Sequence, residues 1–340
     1  MREIVKKSMG ALLAAALATV PAAQAVDANP AEARRDVLRK QGFTVQPDVP
    51  YLTASGKELK VDIYLPQQQT QKQTQKQTQK QGAQAAAQPV PVVLYFHGGG
   101  WVAGSRERAA LSALPFLHMG FAVVNVSYRL ANVALAPAAV EDTLCALQWV
   151  GLNAKKYNFD LTRVVTSGDS AGGHLALATA MIPPDSPFTN QCAANEPNWS
   201  GPYTNAAPKV AVVVNWYGIT DVADMLQGPN IRSYAVAWFG SMPGREALAR
   251  ELSPLSHVRA GGPAVYTIHG DADPLVPYAH GVRLKAALDK AGVRNELLTI
   301  KGGGHGGFAL DQVQGAYRGV QAFLSGLGIA PAQTAATARP

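Results

Sequence analysis

The sequence predicts a doubly wound α/β fold, with a mostly parallel sheet, helices on both faces and a small cap. Two observations carry this expectation. Apolar runs at 92–96, 121–126, 164–166, 210–214 and 264–268 are continuous rather than alternating, as strands of a parallel sheet buried on both faces must be. Helix-forming stretches separate these runs, among them 137–153, with proline at its first turn, and 312–324, where Val313, Ala316, Tyr317, Val320 and Leu324 make one stripe. Strands are expected at 59–65, 92–96, 121–126, 163–167, 210–215, 264–269 and 296–300.

Chemistry gathers in the loops that follow these strands. After 163–167 comes Gly168-Asp169-Ser170-Ala171-Gly172-Gly173, which opens directly into a helical stretch beginning at His174. Small residues on either side of the serine permit a sharp strand-to-helix turn that lifts the hydroxyl clear and leaves it at a helix N-terminus. After Phe96 comes His97-Gly98-Gly99-Gly100-Trp101. Three consecutive glycines bury no side chain and cost conformational entropy, so they suggest a loop whose bare amides approach a ligand closely, in the manner of an oxyanion hole. Gly270-Asp271-Ala272-Asp273-Pro274 follows the strand at 264–269, and Gly302-Gly303-Gly304-His305-Gly306-Gly307 follows the last strand. The order Ser170, Asp273, His305 is nucleophile, acid, base. That is the order of α/β-hydrolases and not of chymotrypsin or subtilisin. Asp271 is a rival to Asp273 for the acid, nearer the strand end.

On these motifs the chain resembles the α/β-hydrolase esterases with an H-G-G-G-W oxyanion motif and a G-D-S-A-G-G elbow, the group around hormone-sensitive-lipase-like and bacterial feruloyl-esterase-like carboxylesterases. The resemblance runs over about 49–324 and includes Asp62-Ile63-Tyr64-Leu65-Pro66, Ser127-Tyr128-Arg129-Leu130, Ser253-Pro254-Leu255 and the run from His269 to Pro277. Asn132 and Val133 stand where hormone-sensitive-lipase relatives usually carry Pro-Glu, which favours the feruloyl-esterase-like side. The resemblance implies a serine carboxylic-ester hydrolase acting through an acyl-enzyme on short-chain or aryl esters, feruloyl and acetyl esters included. It implies Ser170, Asp273 and His305 as the triad, and the amides of Gly99, Gly100 and Ala171 as oxyanion donors. Amide hydrolysis, by a formamidase or a prolyl-oligopeptidase-type peptidase, is the alternative that the same triad serves. A non-catalytic binding protein on this fold is a third.

Trp101, Trp216 and Tyr217 are candidates for the substrate pocket, against plain core packing. The segment 221–251, with Trp238 and Phe239, is the candidate lid or pocket wall, and 31–45 a second cover. The other histidines read as structural or solvent-facing, with His97 bracing the glycine loop. No zinc pattern occurs and no metal or cofactor is expected.

Residues 1–25 read as a leader: Arg2, Lys6 and Lys7 precede an apolar run at 11–20, and Ala23-Gln24-Ala25 suits cleavage before Val26. The apolar run is too short to span a bilayer, so no stable membrane insertion is expected after cleavage, and the location is periplasmic or secreted. In an oxidising compartment Cys145 and Cys192 either pair or remain separate thiols. The formal charge of +7 sits largely in the leader and in Lys72, Lys76, Lys80 and Arg339 of low-complexity segments, so the core is near neutral and carries no concentrated basic face for nucleic acid. One domain is expected over 26–329. It is interrupted at 67–88 by a Gln/Lys/Thr repeat with no apolar face to dock and followed by a small-residue tail at 330–340. Oligomeric state is left open.

Overall fold

The computed structural model describes residues 29–66, 88–190, 192 and 207–330. The expected leader, the repeat up to 87 and the tail beyond 330 lie outside them. Eight strands form one sheet in the order β1-β2-β4-β3-β5-β6-β7-β8. They are β1 (Thr44–Ala54), β2 (Lys57–Leu65), β3 (Val90–Phe96), β4 (Ala122–Val126), β5 (Phe159–Asp169), β6 (Val210–Trp216), β7 (Ala264–Gly270) and β8 (Asn295–Ile300). The β1/β2 and β2/β4 pairs are antiparallel, and every pairing from β4 through β8 is parallel.

Burial on both faces explains the continuous apolar runs. In β3, Val92, Leu94 and Phe96 enter one core, and Val93 and Tyr95 enter the other. Helices α3 (Ala138–Tyr157) and α4 (Ala171–Met181) cover the first face; α1 (Pro30–Lys40), α2 (Leu114–His118) and α8 (Leu310–Gly326) cover the second. Helix α3 runs past the expected end at 153, because Asn158 caps it in the left-handed conformation at φ 56°. In α8, Ala316, Val320 and Leu324 are buried, whereas Val313 and Tyr317 face a cavity.

Strand β1 was not anticipated. Pro47, Asp48 and Pro50 argue against a strand, yet at a sheet edge a missing N–H costs no ladder bond, and the pairing with β2 is irregular at Gln46/Val49 and Pro50/Leu52. Two short helices, α5 (Ser233–Phe239) and α6 (Arg245–Leu252), make the cap region, and α7 (Ala279–Lys290) packs beside β8. Because the parallel strands all point one way, the loops after β3, β5, β7 and β8 emerge at the same edge of the sheet.

Candidate active site

Ser170 sits between β5 and α4 with φ 56° and ψ −120°, a conformation that a non-glycine residue adopts only when its surroundings force it. The forcing contacts are visible. The Ser170 N–H donates to the Trp216 carbonyl at 2.9 Å, and the Ser170 carbonyl accepts from His174 N–H at 3.0 Å. A Cβ at Gly172 would run into the carbonyl of Phe96, so helix α4 can lie this close to β3 only with glycine there.

Asp273 and His305 arrive from the loops after β7 and β8. His305 Nε2 lies 2.8 Å from Ser170 Oγ, and His305 Nδ1 lies 2.7 Å from Asp273 Oδ2. The other Asp273 oxygen accepts from the Leu275 and Val276 amides at 2.8 and 2.9 Å. Burial pushes the Asp273 carboxyl up, but hydrogen bonds from His269 and His305 and the Val276 amide hold it well below the usual carboxylate range. It therefore faces His305 as an anion. Asp271, the rival acid, is exposed and accepts from the Gly302 amide at 2.6 Å.

The glycine loop turns tightly after β3. Gly99 has φ 121°, its carbonyl accepts from Val102 and Ala103 at 3.1 and 3.0 Å, and a Cβ there would collide with the Ala103 carbonyl. His97 braces the turn from beneath. Its Nδ1–H donates to the Gly98 carbonyl at 2.8 Å and its ring stacks on Tyr128. Burial lowers the His97 pKa to about 4, so the ring is neutral at pH 7. Gly100 is pressed against the Tyr234 ring of α5. Ala171, the first residue of α4, is fully buried, and its N–H belongs to the helix turn that has no intrahelical acceptor.

Beside the triad lies a cavity of about 590 Å³, walled by the glycine loop and the segment after it, by Trp216 and Tyr217, and by Gly306, Gly307, Phe308 and Tyr317. The Tyr217 ring meets the His305 ring edge-on at 4.7 Å. The expected pocket role of Trp101 is corrected. Its side chain is fully buried, stacks on Trp238 at 4.1 Å and donates from Nε1 to His174 Nδ1 at 3.3 Å, so it is core. The indole turns inward because Trp101, at φ 60°, leaves the glycine turn on the side of α4. Trp238 and Phe239 are likewise fully buried, and nothing from 221–251 or 31–45 lines the cavity. The cap contributes Tyr234 over the glycine loop, and α1 packs behind, against Ala110–Ala113.

Three residues of the site escaped the sequence reading. His269 reaches Asp273, Asp169 lines the cavity and Tyr95 bonds Asp169. For Asp169 the signal was present, as a carboxylate between a glycine and the candidate nucleophile at a strand end. Cys145 and Cys192 are joined by a disulfide. Among the described residues no helix is long and apolar enough to cross a membrane, and no group of three acidic, histidine or cysteine side chains is placed to hold a metal.

The chain is 27% identical over 215 residues to esterase LipQ of Mycobacterium tuberculosis, covering 61% of this chain and 48% of that protein. To carboxylesterase NlhH of the same organism it is 38% identical over 97 residues, 28% of this chain and 30% of that protein. The chain thus spans half or less of the length of these curated relatives. Among solved structures, the truncated form of a carbohydrate esterase from gut microbiota matches with TM-score 0.64 and 27% identity over 83% of this chain and 95% of that one. An esterase of Thermogutta terrifontis matches with TM-score 0.65 and 23% identity over 86% and 95%, a likeness of fold. These place the chain in the α/β-hydrolase fold. Residues 81–288, which include Ser170 and Asp273 and stop before His305, match the BD-FAE family, and with well over half of its length matched the chain belongs to that family.

Proposed function

We propose that the protein is a serine carboxylic-ester hydrolase that works through an acyl-enzyme on short-chain or aryl esters. The observation that carries this reading is the unbroken relay from Ser170 Oγ through His305 to Asp273, set on a strained elbow at a helix N-terminus. The curated relatives bear the names esterase and carboxylesterase, which supports it.

In this reading Ser170 attacks the ester carbonyl carbon while His305 Nε2 takes the hydroxyl proton and then gives it to the departing alcohol. Water, deprotonated by His305, attacks the acyl-enzyme and releases the acid, and the proton returns to Ser170. Asp273 keeps the proton of His305 on Nδ1 and stabilises the imidazolium. The transient oxyanion is held by the amides of Ala171, Gly99 and Gly100, each such donor typically lowering the barrier by ~3 kcal/mol. Trp216 and Tyr217 shape the cavity beside the nucleophile. No step calls for a metal or cofactor. Amide hydrolysis would use the same relay, and no observation favours it.

The leader-like segment and the Cys145–Cys192 disulfide together support export to an oxidising compartment, periplasmic or extracellular. The catalytic reading is tested with a serine-directed fluorophosphonate and p-nitrophenyl butyrate. The wild type should be labelled at Ser170 and turn over the ester, and Ser170→Ala should do neither; labelling that persists in the variant would sink the assignment.

A further inference from the structure

Asp169 immediately precedes the nucleophile and stands half-buried in the cavity wall. Its Oδ1 accepts two hydrogen bonds, from Tyr95 Oη–H at 3.0 Å and from the Gly98 N–H at 3.2 Å. These ties lock the head of the glycine loop to the turn that carries Ser170. Oδ2 receives no hydrogen bond from any other described residue. A Cβ at Gly98 would strike this second oxygen, so the bare glycine is what lets the loop lie against the carboxylate. Burial pushes the Asp169 carboxyl up from its ordinary value, against the bonds from Tyr95 and Gly98. That oxygen keeps acceptor capacity in the cavity wall, which a substrate hydroxyl can take up in place of solvent. The surrounding wall suits a flat or ring-shaped hydroxylated group, with the rings of Tyr217 and Phe308 for its faces and Ser112 and Arg108 for its polar edge.

We propose that Asp169 is a specificity residue, whose Oδ2 accepts a hydrogen bond from a free hydroxyl on the substrate, so that hydroxyl-bearing esters are preferred over their deoxy counterparts. The proposal rests on the ester-hydrolysis reading. The hydroxyl belongs either to a polyol or sugar alcohol or to a phenolic acyl group, which share the same donor chemistry.

The test measures kcat/KM on two matched pairs, glyceryl monobutyrate against propyl butyrate and methyl 4-hydroxycinnamate against methyl cinnamate, for wild type, Asp169→Asn and Tyr95→Phe. In Asp169→Asn the remaining oxygen still accepts from Tyr95 and Gly98, and an amide NH₂ replaces Oδ2. Wild type should prefer the hydroxylated member of at least one pair, and Asp169→Asn should lower that preference about tenfold, as expected on losing a charged acceptor. The pair that responds identifies the source of the hydroxyl. Tyr95→Phe, which loosens the loop without touching Oδ2, should slow both members of a pair together and leave the ratio alone. Asp169→Ser serves as a second variant and should lower the ratio likewise. A hydroxyl preference that is absent in wild type, or unchanged in both Asp169 variants, overturns the proposal. Failure of wild type on all four esters would instead strike the ester-hydrolysis reading.

Discussion

His269 Nε2 lies 3.3 Å from Asp273 Oδ2, the same oxygen that faces His305 at 2.7 Å. The Val276 carbonyl, 3.1 Å from the same nitrogen, can only accept, so the His269 proton is on Nε2 and is shared between the two oxygens. Asp273 is thereby supplied with donors from β7 and from its own loop, and it does not depend on His305 to remain an anion.

Asp273→Asn removes the charge and leaves the shape. The amide NH₂ can no longer hold the His305 proton on Nδ1, and kcat should fall by about 10⁴ with the fold retained. Steady-state kinetics beside circular dichroism check this, and a loss of less than about tenfold would show that the imidazole is oriented by something else.

The lowered pKa of Asp273 also makes the stability of the fold depend on pH. In the folded protein this pKa lies below the ordinary unfolded value of about 3.9, so the fold favours the ionised form. The stability this contributes is fully present above that value and is lost as pH falls below it. Urea unfolding should therefore show a gap between wild type and Asp273→Asn that is steady above about pH 5 and narrows as pH falls below about 4, whereas a gap that stays constant down to about pH 3 would contradict the assignment of charge.

Asp62 is fully buried between Arg35 of α1, at 3.0 Å, and Arg106 of the segment after the glycine loop, at 2.9 Å. Burial pushes its carboxyl up, yet the Asp48 amide and the two guanidinium groups hold it below the usual range. Asp62→Asn leaves two largely buried cations without their central anion and should destabilise the protein by about 3–5 kcal/mol in urea melts. Asp48 also pairs with both arginines and Glu107 lies 3.0 Å from Arg106, so a cost under about 1 kcal/mol would mean that these two carboxylates suffice.

The Cys145–Cys192 disulfide closes a loop across 47 positions. By chain entropy such a link stabilises by about 4 kcal/mol. The double variant Cys145→Ala/Cys192→Ala should lose stability on that order and keep its kcat/KM, because neither residue lines the cavity beside Ser170. A large fall in kcat/KM without unfolding would reveal a coupling to the site.

Short acyl chains should be preferred over long ones. The cavity wall carries Ser105, Arg108, Ser112 and Asp169, and the cap's large apolar side chains Trp238 and Phe239 are spent on the core rather than offered to a substrate. Comparing kcat/KM for p-nitrophenyl butyrate and palmitate below their micelle concentrations decides it, and equal efficiency on palmitate would refute the reading.

The alternation of strands and helices, the elbow around Ser170, the glycine turn at 98–100 and the order of Ser170, Asp273 and His305 are all legible in the sequence, because each is a local matter. Continuous apolar runs demand burial on two faces, and positive φ and close backbone approach demand glycine at fixed offsets. What the tertiary structure alone decided are the relations between segments far apart in the chain. Strand β1 forms despite Pro47 and Pro50 because β2 accepts it at the sheet edge. Trp101 leaves the pocket because Trp238, from a segment more than a hundred residues on, stacks against it. Asp169 is held in the cavity wall by Tyr95 of β3 and Gly98 of the loop after it, some seventy positions earlier in the chain. Whether an indole is wall or core, and whether a carboxylate is satisfied or left with a free oxygen, depends on which surfaces meet, and local pattern carries no record of that.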